Sequence, residues 1–168
     1  DDSPGTIKAA LMNTADLITP ISANDLLIQG RGIANVGAAF TLMLNAPKEG
    51  NKPLIGAINP VINPISIHQE LYQGQIIDTF VTCVSPFNTD LSVEISGEAA
   101  AFATTGIITS YQTAIQTITY NIPADTLPTS YDGQITFKYK THVLDTADIA
   151  IEVIKRHGEH RMLLNFRT

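Results

Sequence analysis

Histidine is the side chain that could serve as a catalytic base at neutral pH, and the chain has four, His68, His142, His157 and His160. A serine hydrolase needs such a base within hydrogen-bond reach of its serine, and an acid that orients the base. The turn that presents the serine in α/β hydrolases reads Gly-x-Ser-x-Gly, and the segment around Ser96 and Gly97 lacks the first glycine. We therefore predict no catalytic triad within this chain and assign no catalytic residue.

Two patterns of side chains could ligate a metal. His157, Glu159 and His160 would give a zinc ion too few ligands at the usual spacing, which favours a polar surface turn. Calcium needs six to eight oxygens, and no Asp-x-Asp-x-Asp-Gly run occurs. Turn formation is the favoured interpretation of the aspartates near strand ends, Asp125, Asp132, Asp145 and Asp148. The sequence predicts no metal and no cofactor.

The single cysteine, Cys83, lies in an apolar stretch between Thr82 and Val84. A nucleophilic thiol would be expected at a helix N-terminus or beside a cation. The surroundings of Cys83 instead predict a buried, inert thiol, and one cysteine excludes an intrachain disulfide.

Composition indicates a folded globular protein. Of 168 residues, 44% are apolar and only 15% are charged, which argues against disorder. The net charge of −6 gives no electrostatic footprint for nucleic acid. No apolar run reaches the roughly 18 residues that a membrane span needs.

Two short helices are expected near the N-terminus. Ser3 and Pro4 favour a helix start, and residues 4–14 place Ile7 and Leu11 on one face. After a loop over about 16–29, a second helix over 35–44 carries Val36, Ala39, Phe40 and Met43 on one face, with small residues opposite. Such short helices need a packing partner, which could be the following domain, a second copy of the chain or an absent body.

The remainder predicts an antiparallel β-sandwich of the immunoglobulin or fibronectin type III kind. Residues 45–64 are rich in Pro, Gly and polar residues, which predicts a linker. From residue 65 to 156, short segments of alternating or β-branched apolar residues are separated by turn signals. They cover 65–71, 75–84, 91–95, 106–111, 115–122, 135–139 and 149–153. Residues 157–168 could add a last strand or begin a further segment.

One tyrosine refines this prediction. Tyr131 precedes a strand in the run Pro128-Thr-Ser-Tyr-Asp-Gly133. A tyrosine at the entry of a late strand of such sandwiches can close a corner by donating its hydroxyl proton to backbone upstream. A core tyrosine at an ordinary turn is the alternative.

Two motifs near the N-terminus carry a family resemblance. Residues 3–15 read Ser-Pro-Gly-Thr-Ile-Lys-Ala-Ala-Leu-Met-Asn-Thr-Ala, and residues 30–40 read Gly-Arg-Gly-Ile-Ala-Asn-Val-Gly-Ala-Ala-Phe. In this order and at this spacing they resemble the C-terminal end of a subtilisin-like serine protease domain. The run from Pro128 to Gly133 also resembles the fibronectin type III-like domains that follow the protease domain in many large subtilases.

The resemblance implies a non-catalytic part of a subtilisin-like endopeptidase. The Ser-His-Asp triad would lie upstream of Asp1, so this chain alone is expected to be inactive. Residues 1–44 would complete the catalytic domain, and the sandwich would pack on the protease body or help to place a protein or peptide substrate. The implied location is secreted or at the cell surface, and the orphaned helices could self-associate.

A different interpretation remains open from the sequence. The chain could be a stand-alone immunoglobulin-like adhesion or protein-interaction module with a helical N-terminal extension. Fold class alone does not distinguish these functions.

Overall fold

The computed structural model describes residues 3–16, 32–59, 66–110 and 113–155. The predicted loop over 16–29 lies outside these ranges, apart from Asp16. The predicted segment 157–168, with His157, Glu159 and His160, lies outside them entirely.

The two predicted helices are present. Helix α1 spans Pro4–Asn13, and the Ser3 hydroxyl caps it by accepting from the Thr6 amide at 3.3 Å. Helix α2 spans Val36–Asn45, and the Asn35 side chain accepts from the Ala38 amide at 2.9 Å. In each case a short polar side chain satisfies an amide that the first helical turn leaves without a partner. Both helices begin and end within about a residue of the predicted bounds.

The rest of the described chain is mainly β, as predicted, and forms a sandwich of two four-stranded sheets. One sheet has the order β4-β10-β9-β6 and the other β3-β5-β8-β7. A separate hairpin joins the short strands β1 and β2. The strands are β1 Lys48–Glu49, β2 Lys52–Pro53, β3 Ala57–Asn59, β4 Ser66–Tyr72, β5 Ile76–Val84, β6 Leu91–Gly97, β7 Ala103–Ser110, β8 Thr113–Asn121, β9 Ser130–Tyr139 and β10 His142–Ile154.

The predicted alternation produces the core between the sheets. Strand residues two apart point to the same face. The inward residues of β9 are Ile135, Phe137 and Tyr139, and all three are buried. The same core continues on the neighbouring strand β10 with Ile149, Ile151 and Val153, and on β8 of the opposite sheet with Ile118 and Tyr120.

One pair of strands departs from the antiparallel arrangement that the rest of the predicted sandwich shows. β4 runs parallel to β10, with Ser66 opposite Asp148 and Tyr72 opposite Ile154. Parallel neighbours need a crossover connection rather than a tight hairpin. β4 and β10 are far apart in the sequence, so no local turn sets their relative direction.

The prediction of a linker over 45–64 is also wrong for residues 48–59. This stretch contains the hairpin β1–β2 and strand β3, which pairs with β5. Gly50, at a φ of 60°, and Asn51 form the turn of the hairpin, whereas Ile55 and Ile58 are buried. The Ile58 amide donates to the Asp145 carboxylate at 2.8 Å, which joins β3 to the opposite sheet.

The predicted tyrosine corner is confirmed. The Tyr131 hydroxyl donates to the carbonyl oxygen of Leu127 at 3.0 Å. The Tyr131 ring also packs edge-on against Phe102, with ring centroids 4.7 Å apart. The corner fixes the loop that leads into β9.

We expect Gly133→Ala to destabilise the sandwich. A Cβ at Gly133 would overlap the carbonyl oxygen of Ser96 and lie 3.0 Å from the Ala99 Cβ, so β6 would have to move. Overpacking of this kind costs about 1–3 kcal/mol, which urea denaturation followed by circular dichroism would measure. Gly106→Ala on β7 is the control, because no described atom lies within 4 Å of its added Cβ. Equal stabilities of the two variants would contradict this prediction.

Candidate functional site

The side chains considered for a triad are not brought together. Ser96 donates from its hydroxyl to the carbonyl oxygen of Gln134, at 3.3 Å. His142 is exposed and pairs with Tyr139 at the other end of β9. Gln134 and Tyr139 are five positions apart on this strand, which corresponds to about 17 Å. The backbone of His68 belongs to β4, but its side chain is outside the described part of the chain. His157 and His160 lie outside the described residues.

The four aspartates considered for calcium are dispersed. Asp145 is half-buried and accepts from the amides of Ile58 and Thr146, at 2.8 and 2.9 Å. Asp132 is exposed and accepts from the Ser130 hydroxyl at 3.2 Å. Asp125 and Asp148 are exposed elsewhere. Within the described ranges, no three His, Cys, Asp or Glu side chains are grouped as a metal site requires.

Cys83 is fully buried in the sandwich core, as predicted. Burial raises the pKa of its thiol to about 12, and the nearby Asp145 carboxylate adds to the rise. Burial likewise raises the pKa of Tyr120, and a nearby hydroxyl on Thr79 opposes that rise. Neither group ionises near neutral pH, so neither can act there as a nucleophile or a proton relay.

The notable charges lie at the surface. Glu49 on β1 accepts from the Lys140 ammonium and, at 3.2 Å, from the Tyr139 hydroxyl. The hydrogen bond from Lys140 lowers the pKa of Glu49, and the same bond raises the pKa of Lys140. Because the pKa of Glu49 is lowered, the pair stabilises the fold fully above the ordinary Glu pKa. This stabilisation is lost as the pH falls through the lowered value. Glu94 and Lys138 form a second exposed pair between β6 and β9.

The faces that the helices bury differ from those expected. Their buried apolar residues are the small ones, Ala9 and Ala10 of α1 and Ala39 of α2. These pack on Ala57 and Val84 of the sandwich. We call this group the junction cluster; it also holds Ile55 and the half-buried Leu11, Met12, Leu42, Met43 and Ala46.

Large apolar residues of α2 face outward. Val36, Phe40 and Leu44 are spaced four residues apart, which places them on one stripe, and their exposed fractions are 70%, 61% and 58%. Ile33, just before the helix, is 60% exposed. We call these four residues the outer stripe. The prediction of one shared apolar face is therefore wrong for Val36, Ala39, Phe40 and Met43, because Ala39 is buried while Val36 and Phe40 are exposed.

A groove of about 500 Å³ lies on the same helical unit, along α1. Its walls include Ile7, Leu11 and Met12, and Ala34 borders it from the segment before α2. Among the described residues that line the groove, Lys8 is the one that carries a charge. The groove and the outer stripe offer apolar contact rather than polar or catalytic groups.

The outer stripe has a signal that sequence reasoning could have used. Helix α2 contains no charged residue, and apolar side chains occur around most of its circumference. A helix that is apolar on all sides is typically buried on all sides. A pattern that is read for one apolar face of α2 misses the second apolar face of the same helix.

We expect Cys83 to resist alkylation in the folded chain. With its pKa raised to about 12, few thiolates form at pH 9, so iodoacetamide should react at least about a hundredfold more slowly than with the urea-unfolded chain. The raised pKa also makes the stability of the fold depend on pH, because burial of the neutral thiol stabilises the fold below the ordinary thiol pKa. That contribution is lost as the pH rises from about 9 towards 12. Mass spectrometry measures the rate, and equal rates would contradict the prediction.

We expect Phe40→Lys to reduce self-association without unfolding the chain. A charge on the outer stripe disfavours apolar contact between copies, and an exposed substitution changes the free energy of unfolding by no more than about 0.5 kcal/mol. Ala39→Lys is the matched control, because the neighbouring Ala39 is buried and a lysine there should destabilise the fold. Sedimentation velocity and thermal unfolding measure the two effects. If Ala39→Lys unfolds at the same temperature as the wild type, or if Phe40→Lys does not fold, the assignment of Ala39 as buried and Phe40 as exposed is wrong.

Comparisons with known proteins leave the family open. No family model and no curated protein matches the chain. Among solved structures, the chain is similar to the GspB Siglec domain, with 10% identity, a TM-score of 0.46 and coverage of 61% of this chain and 58% of that one. It is also similar to the SrpA adhesin from Streptococcus sanguinis, with 9% identity, a TM-score of 0.46 and coverage of 60% and 57%. A family 123 glycoside hydrolase from Clostridium perfringens gives 12% identity, a TM-score of 0.43 and coverage of 60% and 27%. The matched region spans less than two thirds of each of these structures, and such weak similarities carry no inference about function.

Proposed function

We propose that this chain is a non-catalytic C-terminal part of a subtilisin-like serine endopeptidase. The observation that carries the proposal is the outer stripe, where Val36, Phe40 and Leu44 expose apolar surface on an uncharged helix. Exposed apolar surface of this kind typically marks a contact with another protein surface. The residue motifs that resemble a subtilase supply the identity of that surface, which is the body of the catalytic domain.

The arrangement of the two resembling segments supports this assignment. The segment 3–15 forms α1, the segment 30–40 enters α2, and the two helices pack on each other. Asp16 and Ile33, which flank the segment 17–31 in the sequence, exchange backbone hydrogen bonds of 2.8 Å. A compact helix pair with one buried face and one open face suits the last layer of a larger domain.

In this proposal, the parent enzyme hydrolyses peptide bonds with a Ser-His-Asp triad encoded upstream of Asp1. The helices complete the catalytic domain, and the sandwich is an accessory domain. The enzyme acts outside the cell or at its surface. Neither described helix has the length and hydrophobicity to cross a bilayer.

A second candidate is a stand-alone binding module, and one observation favours it. The helices share the junction cluster with Ala57 and Val84, so they are already packed on the sandwich within one chain. An adhesion or protein-interaction domain with a helical extension would show the same packing. In that case the outer stripe would be its contact surface for a partner.

We expect a labelling experiment to separate the two candidates. Phe40→Cys and Leu127→Cys each add one exposed thiol, and the native Cys83 is buried and silent. In the chain from Asp1 to Thr168, both new thiols should react rapidly with a maleimide. In the polypeptide extended upstream of Asp1, Phe40→Cys should become protected at least about tenfold, because the protease body covers the outer stripe.

Leu127→Cys is the matched control, since Leu127 lies in the loop before β9 and is 73% exposed. A fluorophosphonate probe applied to the same extended polypeptide should label a serine upstream of Asp1. It should label no serine of the chain from Asp1 to Thr168. Unchanged reactivity of Phe40→Cys, together with no labelled serine, would rule out the protease assignment and leave the binding module.

A further inference from the structure

The passage from the helices to the sandwich is bonded along its length. The Leu54 amide donates to the carbonyl oxygen of Pro47 at 2.7 Å, which closes the β1–β2 hairpin. The Ile55 amide donates to the carbonyl oxygen of Pro53 at 2.9 Å, and Ile55 is buried in the junction cluster. The backbone therefore turns through this segment in one defined path, unlike a flexible linker.

The Asn13 side chain links the end of α1 to the residue that precedes β3. The Asn13 amide nitrogen donates to the carbonyl oxygen of Gly56 at 2.7 Å. Gly56 lies directly against the core, because a Cβ there would come within 2.8 Å of Leu144 and 2.9 Å of Phe137. Asn13 thus bonds to the point at which the junction cluster and the sandwich core meet.

The β1–β2 hairpin also contacts the sandwich. Lys52 donates to the carbonyl oxygen of Pro86 at 3.2 Å, and its ammonium lies 5.8 Å from the centre of the Phe87 ring. Phe87 stacks on Tyr139 with centroids 3.8 Å apart. Glu49 bonds both Tyr139 and Lys140. Exposed ion pairs contribute little free energy, so this contact mainly sets geometry while the junction cluster supplies stability.

We infer that the helical unit and the sandwich form one cooperative folding unit joined by a fixed joint, which consists of the junction cluster, the Asn13–Gly56 hydrogen bond and the hairpin contacts. The joint has a consequence that rests on the proposed function. It selects between two roles of the accessory domain, because a sandwich fixed to the catalytic domain buttresses that domain. A sandwich that carried substrate to the active site would need freedom to move relative to it.

Hydrogen exchange of the chain from Asp1 to Thr168 tests the joint directly. Two buried amides report on the two sides: Ala39 N–H, bonded to the Asn35 carbonyl in α2, and Ile122 N–H, bonded to the Gln75 carbonyl in the sandwich. In rising urea, a single folding unit requires both amides to converge on the same free energy of opening. If the Ala39 amide instead keeps a lower free energy of opening at every urea concentration, the helices open independently and the inference is wrong.

Asn13→Ala gives the second measurement. Loss of the donor leaves the Gly56 carbonyl without this partner, and we expect about tenfold faster exchange, or about 1.4 kcal/mol, at both Ala39 and Ile122. Asn121→Ala is the matched control, because Asn121 is exposed at the end of β8 farthest from the joint, and it should leave the protection factors of both amides, which correct for the intrinsic exchange rate, within about twofold. Acceleration at Ala39 alone, or at neither amide, would overturn the inference.

The proposed function is not needed for this result. If no triad is encoded upstream, the exchange rates of the chain from Asp1 to Thr168 are unaffected, and the fixed joint still stands. If the amides exchange independently while the upstream serine is labelled, the protease assignment stands and the buttress role fails.

Discussion

The structure depends on one pair of strands whose two faces are both buried. On β3 and β5, Ala57 lies opposite Val84, and Ile58 lies opposite Cys83. Because successive strand residues point to opposite faces, the first pair faces the helices and the second faces the sandwich core. All four side chains are excluded from solvent. The short strand β3 therefore belongs to two cores, and each core constrains the other through it.

The helical unit shows a consistent division of side chains by size. Alanines are buried against the sandwich, which allows close approach of the backbones, while Phe40, Val36 and Leu44 remain outside. A self-contained domain would normally bury its largest apolar side chains first, since they release the most apolar surface from water. This division is the physical basis for proposing a further surface that covers α2. The subtilase resemblance and the binding-module interpretation differ in the identity of that surface.

Several ionisable groups of the described part of the chain have structural surroundings. Its buried ionisable groups, Cys83 and Tyr120, have pKa values raised by burial and stay neutral. Its bonded carboxylates have structural roles: Asp145 joins the two sheets, and Glu49 holds the hairpin. These features agree with an accessory part of a larger enzyme and equally with a binding domain.

The sequence by itself determined the local structure. The caps Ser3 and Asn35, the alternation in β9 and β10 and the corner at Tyr131 are set by neighbours within a few residues, so the strand class, the helices and the burial of Cys83 could be predicted. Tertiary structure decided what depends on distant partners. β4 pairs in parallel with β10, residues 48–59 form strands because Ile55 and Ile58 find buried sites, and the helices turn their alanines inward because Val84 and Ala57 lie opposite them. Local propensity carries no information about such long-range contacts, because their free energy arises only when both surfaces are present.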